Sequence, residues 1–327
     1  MCQAKICLMA ALLLVCAAGA VARPLRVLAI GNSYTQSLEP ELPRVAKAAG
    51  VELELAIFAI GGMSLSNHWM NCVVALKDPS KKQYDMRGRK TNLPEVLADG
   101  KWDVVTLQEQ SAGGMIPGSF DPWADHLVAF IRERQPTARL YFQLTWADPA
   151  FSPRLSDGQG GPGSLKMTQS EMASALEKTY TTQAKRLDLG LIPVGPALEL
   201  YRKRLPVTVQ PFSPDYIASM QDGETPDIKG ELAGWYAWGK GARWEKDFGV
   251  HRLRMDHHHL NREGKYLQAC VWLATLTETD IAELSYVPDF GDDFRRRAPI
   301  IRRCAMDAVI ATARTKEQLG LKSGSSK

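Results

Sequence analysis

The chain has 327 residues, is 45% hydrophobic and 23% charged, and carries a formal net charge of +4. That composition supplies a full globular core and excludes the disordered, collagenous and disulfide-scaffold classes. So mild a charge balance gives no argument for a nucleic-acid or anionic-membrane partner.

The chain opens on Lys5, the apolar run Ile6 to Cys16, and small residues ending in Ala20-Val21-Ala22. A positive n-region, an apolar h-region and an A-x-A site predict a secretory signal over residues 1–22, cleaved after Ala22. The expected address is therefore secreted or periplasmic. A lipidated Cys16 fits less well, because Val15 is bulky where a small residue is wanted. No later stretch has the length needed to span a bilayer. Cys2, Cys7 and Cys16 leave with the signal, and the odd remainder of Cys72, Cys270 and Cys304 excludes a full disulfide framework. One bridge has room to form, although Cys270 sits in an apolar helical pattern and reads as a buried thiol.

The first mature element is the run Leu25 to Ile30, mostly apolar and without polar alternation, which predicts a strand covered on both faces. It stops at Gly31 and delivers Asn32 and Ser33 to the strand's C-terminal end, where open α/β sheets bind ligands. Ser33 there reads either as a helix-capping turn residue or as a nucleophile. Leu38 to Ala49 predicts a helix closed by Gly50, and Val51 to Ile60 a second strand ending at Gly61-Gly62. An amphipathic segment follows to Leu76, then a Lys-rich surface loop over 77–91. Trp102 to Leu107 predicts a third strand, leading into Gln108-Glu109-Gln110-Ser111. A helix over Asp121 to Arg134, a strand over Ala138 to Trp146, a loop over Asp148 to Gly163, a helix over Thr168 to Leu187 and a short strand over Leu189 to Val194 complete the alternation. Five strands alternating with helices imply a parallel sheet with helices on both faces, joined by right-handed crossovers. No linker interrupts residues 23–200, so a single domain over 23–315 with a polar tail over 316–327 is expected.

Residues 205–250 break this pattern with Pro206, Pro211, Pro214 and Pro226 and the cluster Gly234-Trp235-Tyr236-Ala237-Trp238, with Trp244 nearby. A Trp-rich insertion of this length points to function as well as to packing, and Trp235 and Trp238 are candidates for stacking on sugar rings. The run Asp256-His257-His258-His259-Leu260-Asn261 then precedes an amphipathic helix over Arg262 to Leu276, with Asn261 as its N-cap. A last helix from about Asp293 to Arg314 carries Arg295, Arg296, Arg297, Arg302 and Arg303, which read as a solvated face.

Three consecutive histidines invite a metal reading. Neighbouring residues in extended chain point in alternating directions, however, and no H-x-x-x-H or C-x-x-C spacing accompanies them, so no metal is expected. A Ser–His–Asp arrangement is the alternative. A serine needs a base within hydrogen-bond reach, and that base needs an acceptor to hold its tautomer. The spacing of three lets Asp256 fold back beside His259. By the same reading, His257 and His258 carry no assigned role.

The pieces Gly31-Asn32-Ser33-Tyr34-Thr35, Gly61-Gly62-Met63-Ser64-Leu65, Leu107-Gln108-Glu109-Gln110-Ser111 and Asp256-His257-His258-His259-Leu260-Asn261 stand in one order over residues 25 to about 275. In this the sequence resembles the SGNH (GDSL-like) hydrolase superfamily, and within it a DUF4886-like exported bacterial group whose serine motif reads G-N-S-[FY]-[ST]. The resemblance implies a three-layer α/β/α sandwich of the flavodoxin-like kind around a five-stranded parallel sheet. It makes Ser33 the nucleophile and first oxyanion donor, Gly62 a second donor through its N–H, His259 the base and Asp256 its orienter, with Asn32 near the substrate. The superfamily's third donor is an asparagine in a G-x-N-D motif, which this chain lacks. Strand-end alignment puts Gln110 there, while the glutamine shared by the subgroup favours Gln108. The implied activity is that of an exported serine esterase, free of cofactor, removing acetyl groups from carbohydrate; its substrate is a small-molecule or glycan ester. The alternatives are a non-catalytic carbohydrate-binding protein on a degenerate hydrolase scaffold and, more distantly, metal-dependent hydrolysis through the histidine run.

Overall fold

The computed structural model describes residues 23–158, 160, 164–205, 230–238 and 253–318, with side chains of 236–238, 253–255 and 315–318 left aside. The expected signal at 1–22, most of the 205–250 insertion with Trp244, and the end of the tail lie outside the described residues.

In chain order the elements are β1 (Leu25–Gly31), α1 (Ser33–Gln36), α2 (Leu42–Ala48), β2 (Leu53–Ala59), α3 (Leu65–Lys77), β3 (Tyr84–Met86), β4 (Arg89–Thr91), α4 (Leu93–Ala98), β5 (Val104–Leu107), α5 (Trp123–Arg134), β6 (Arg139–Leu144), α6 (Gln169–Leu187), β7 (Gly190–Pro193), α7 (Val194–Arg204), β8 (Ala233–Trp238), β9 (Leu253–Leu260), α8 (Arg262–Thr277) and α9 (Asp292–Gln318). The central sheet runs β2-β1-β5-β6-β7, parallel throughout. Strand alternation feeds two cores. Val27 and Ala29 join the layer of α2, α7, α8 and α9, while Leu28 and Ile30 join the layer of α3 to α6. Each fully buried leucine of these layers is worth about 1.5–3 kcal/mol, which is why β1 is apolar at successive positions and not at every second one. The result is a three-layer α/β/α sandwich around five parallel strands. No helix among the described residues is long and apolar enough to cross a membrane.

Several expectations are corrected. The helix expected from Leu38 begins at Leu42, after the short α1, because Pro40 and Pro43 suit a turn and a first helical turn but not an interior. The Lys-rich loop contains the β3–β4 hairpin, turning at Arg87-Gly88. The last helix continues through Gln318, so it overruns the residues expected to begin the tail. Its arginines are not all solvated. Arg297 binds Glu263 at 2.7 Å and Tyr201 at 2.8 Å, and buried Arg302 donates to the Ala282 carbonyl at 2.9 Å. Cys72, Cys270 and Cys304 are all buried and unbridged.

Sheet order decides where a site can form. The connection after β1 goes to β2 on one side, and the chain later returns to place β5 on the other. The C-terminal end of β1 is therefore a topological switch point, where the departing loops diverge and leave a crevice. Ser33 follows β1 and Gln108 follows β5 at that crevice.

Candidate active site

Ser33 is the first residue of α1, directly beyond Asn32, whose Oδ1 accepts the Tyr34 N–H at 3.0 Å and caps the turn. The turn can be this tight because Gly31 lacks a Cβ, which would otherwise collide with the Thr35 hydroxyl. From below, buried His68 of α3 donates through Nε2 to the Gly31 carbonyl at 3.0 Å, with Tyr84 at 2.8 Å from its other nitrogen. Burial pushes the His68 imidazole down to about 4, so it stays neutral. The Asn32 Nδ2 donates to the Met63 carbonyl at 2.9 Å, which ties the Gly61–Met63 turn to the serine turn. Neither the Ser33 N–H nor the Gly62 N–H donates to another group among the described residues.

His259 brings its Nε2 to 2.8 Å from the Ser33 Oγ, across 226 positions of sequence. Its Nδ1 lies 2.7 Å from the Asp256 Oδ2. The other carboxylate oxygen, Oδ1, accepts the backbone N–H groups of His258 at 3.0 Å and His259 at 2.9 Å. Burial of Asp256 raises its proton affinity, but the hydrogen bonds from the His259 ring and the two amides outweigh it and hold the carboxyl well below the usual carboxylate range. The arrangement can take a proton from Ser33 and stabilise the resulting imidazolium.

The geometry arises from an irregular ladder. The histidine run is not a loop but part of β9, antiparallel to β8. Ala233 pairs with Leu260 and Trp235 with Asp256, so residues 257–259 face Gly234 alone. This bulge turns the 258 and 259 amides away from β8 and onto Asp256. Gly234 sits at φ +83°, a conformation that L side chains seldom adopt. The bulge also overturns the alternation argument for the pair His258 and His259, whose ring centroids are 4.3 Å apart. Ligand atoms of Asp256, His258 and His259 lie within 4.8 Å of one another, the only such group among the described residues. Both His259 nitrogens are engaged in the serine–carboxylate chain, so a cation there would have to displace one of those bonds. His258 is partly buried, and burial pushes it down to about 4.

The glutamines separate clearly. Gln108 is fully buried and its amide is fully engaged: Nε2 donates to Asn32 Oδ1 at 2.8 Å and to the Glu109 carbonyl at 3.1 Å. Its Oε1 accepts from the Thr35 hydroxyl at 2.7 Å and from Gln143 at 3.0 Å. Gln143 in turn accepts from Gln268 at 2.9 Å and Trp272 at 2.6 Å, carrying the network into β6 and α8. Gln108 is thus part of the frame under α1. Among the described residues Gln110, half-buried, donates with its Nε2 only to Ser111, at 3.3 Å, which leaves one N–H uncommitted. Trp235 is 41% exposed on β8, opposite Asp256 in register. Trp238 belongs to the same strand, its side chain outside the described set. What sequence reasoning read as an aromatic insertion is in this part a strand that partners the histidine run.

Sequence reasoning also missed His68, Gln143, Gln268 and Glu109. Glu109 is 1% exposed and burial pushes its carboxyl up to about 7. Only the juxtaposition of acid and amides in Gln108-Glu109-Gln110 signalled it. Trp146 supports the site from β6's exit, stacking on Tyr34 at 4.2 Å and donating to the His258 carbonyl at 2.8 Å.

The fold and site together define an α/β/α protein with a Ser–His–Asp constellation at the switch point of its sheet. Residues 26–181 match a family described as a domain of unknown function, DUF4886. That stretch contains Ser33, Gly62, Gln108 and Gln110 and ends before Asp256 and His259. The crystal structure of a DUF4886 family protein from Bacteroides uniformis ATCC 8492 superposes with a TM-score of 0.60 at 24% identity, covering 88% of this chain and 93% of that one. The two share a fold. Phospholipase A1 from Streptomyces albidoflavus NA297 overlaps at a TM-score of 0.36 and 12% identity, over 73% of this chain and 93% of that one. No curated protein matches significantly.

Proposed function

We propose that this protein is an exported serine esterase of the SGNH kind, working by acyl transfer through an acyl-enzyme on acetylated carbohydrate. The observation that carries the reading is the continuous chain Ser33 Oγ–His259 Nε2 at 2.8 Å and His259 Nδ1–Asp256 Oδ2 at 2.7 Å. Ser33 Oγ attacks the ester carbonyl while His259 Nε2 takes its proton. Asp256 holds the proton on Nδ1 and balances the imidazolium. The tetrahedral oxyanion is met by the Ser33 and Gly62 amides, which donate to no other group among the described residues, and by the Gln110 side chain, whose N–H, uncommitted among those residues, makes it the better donor than Gln108. His259 then protonates the departing alkoxide, and the acyl group remains on Ser33. Water enters, gives its proton to His259 and attacks the acyl carbon; collapse releases the carboxylic acid and returns the proton to Ser33.

The carbohydrate part of the reading is supported by exposed Trp235 beside the histidine strand, an apolar face of the kind that stacks on sugar rings. Export is supported by the charged, apolar and small-residue order of residues 1–22. The test is to incubate purified protein with a fluorophosphonate probe and a chromogenic short-chain acetate, with and without chelator, beside Ser33→Ala. Labelling and turnover that vanish in the variant and ignore chelator support the esterase. Chelator-sensitive turnover surviving in Ser33→Ala would sink it, as would glycan binding with no turnover at all.

A further inference from the structure

The two loops that flank Ser33 are joined by a single buried carboxylate. Glu109 Oε2 accepts the N–H of Leu65 at 3.2 Å, and Leu65 is the first residue of α3, three positions after Gly62. Glu109 Oε1 accepts the N–H of Gln110 at 2.6 Å. Its own N–H is donated to the Tyr180 hydroxyl of α6 at 3.1 Å. The preceding residue, Gln108, holds Asn32, and Asn32 holds the Met63 carbonyl. The connections therefore close a ring running Asn32, Met63, Leu65, Glu109, Gln108 and back to Asn32, with Ser33 and Gly62 on its rim. Met63 and Leu65 enter the ring through backbone groups, and the other side chains that link it, Asn32 and Gln108, are neutral amides. Glu109 alone can change charge, and its carboxylate closes the ring at Leu65 while also holding Gln110 just outside it.

Resting on the esterase reading, we propose that Glu109 is a positioning residue, whose ionised carboxylate fixes the Gly62 and Gln110 loops at the spacing the oxyanion requires. An anion at the first turn of α3 is favoured by the helix dipole and by charge-assisted hydrogen bonds, and its two oxygens accept from both loops at once. A protonated carboxyl offers weaker acceptors and places a donor where one of the two N–H groups points. Among the described residues Tyr180 is the titratable side chain that faces Glu109 from α6. From α3, His68 turns instead to Gly31 and Tyr84. Asn32 and Thr35 from the serine turn and Gly113 from the loop after Gln110 are neutral. Among the described residues no ion pair compensates the buried charge, and burial pushes its ionisation up to about 7. The clamp would accordingly loosen as the medium turns acid.

The test uses the full-length exported protein and Glu109→Gln, which keeps the shape but can accept only one of the two N–H groups. Displacement of a donor by about 1 Å costs on the order of a hundredfold. The expected result is a 10- to 100-fold fall in kcat on a chromogenic acetate, with KM changed less than twofold. The acid limb of log kcat against pH, steeper than one proton in the parent, becomes a one-proton limb in the variant. Should Glu109→Gln fail to fold, the parent answers alone: the amide proton shifts of Leu65 and Gln110 should titrate together with a midpoint near 7. Unchanged kcat and pH profile in a folded variant overturn the clamp, and so do Leu65 and Gln110 amides that do not titrate together. A parent that neither labels with fluorophosphonate nor hydrolyses acetate overturns the esterase reading instead, while the amide titration still judges the clamp.

Discussion

Replacing Asp256 by Asn isolates the orienting role of the carboxylate. The two oxygens have separate duties, Oδ1 accepting the 258 and 259 amides and Oδ2 facing His259 Nδ1 at 2.7 Å. In Asp256→Asn the carbonyl oxygen must stay on the two amides, since turning the NH2 onto them would set donor against two donors. The NH2 then occupies the Oδ2 position and obliges Nδ1 to accept. The imidazole proton moves to Nε2, the atom that should receive the Ser33 proton, so the base is held in the wrong tautomer. A lost tautomer of this kind costs about 10⁴ in kcat, or about 5 kcal/mol of transition-state stabilisation. Stopped assays on a chromogenic acetate, with active-site counting by fluorophosphonate, measure it; circular dichroism checks the fold. The stability difference has a sign as well. The native carboxyl is depressed below its ordinary 3.8, so its contribution is present above that value and lost as pH falls through the native one. The gap in melting temperature between parent and variant should therefore narrow on acidification below about 3.8. A variant retaining more than a tenth of parental kcat would refute the reasoning.

The glutamines and the thiols give two further predictions. Gln108→Ala strands the Thr35 hydroxyl, Gln143 and Asn32, and should lower stability by about 3 kcal/mol, whereas Gln110→Ala should leave the melting temperature within a degree or so yet cut kcat by about 10²–10³; thermal melts beside kinetics decide, and the reverse pattern would make Gln108 the donor. Cys72 and Cys270, buried and pushed up to about 11 and about 12 by that burial, should resist alkylation in the native protein together with Cys304 and label only on unfolding, as read by mass spectrometry.

The sequence alone was enough for the layered α/β architecture, because apolar runs, caps and breakers act over a few residues: β1, β5 and β6 appear within two residues of where their side chains predict them. The same local logic singled out Ser33 as a strand-end residue and Asn261 as a cap. Only the tertiary structure could bring His259 onto Ser33, since no short-range preference encodes a meeting across 226 positions. It also decided the glutamines. Gln108 and Gln110 are two letters apart and chemically identical, and what separates them is whether Asn32, Thr35 and Gln143 converge on one of them from elsewhere in the fold. The bulge at 257–259 belongs to the same class, because it is counted against β8, not along its own strand. Burial made the remaining difference: Glu109 is an ordinary carboxylate in sequence, and the walls of α3 and α6 give it a different acidity.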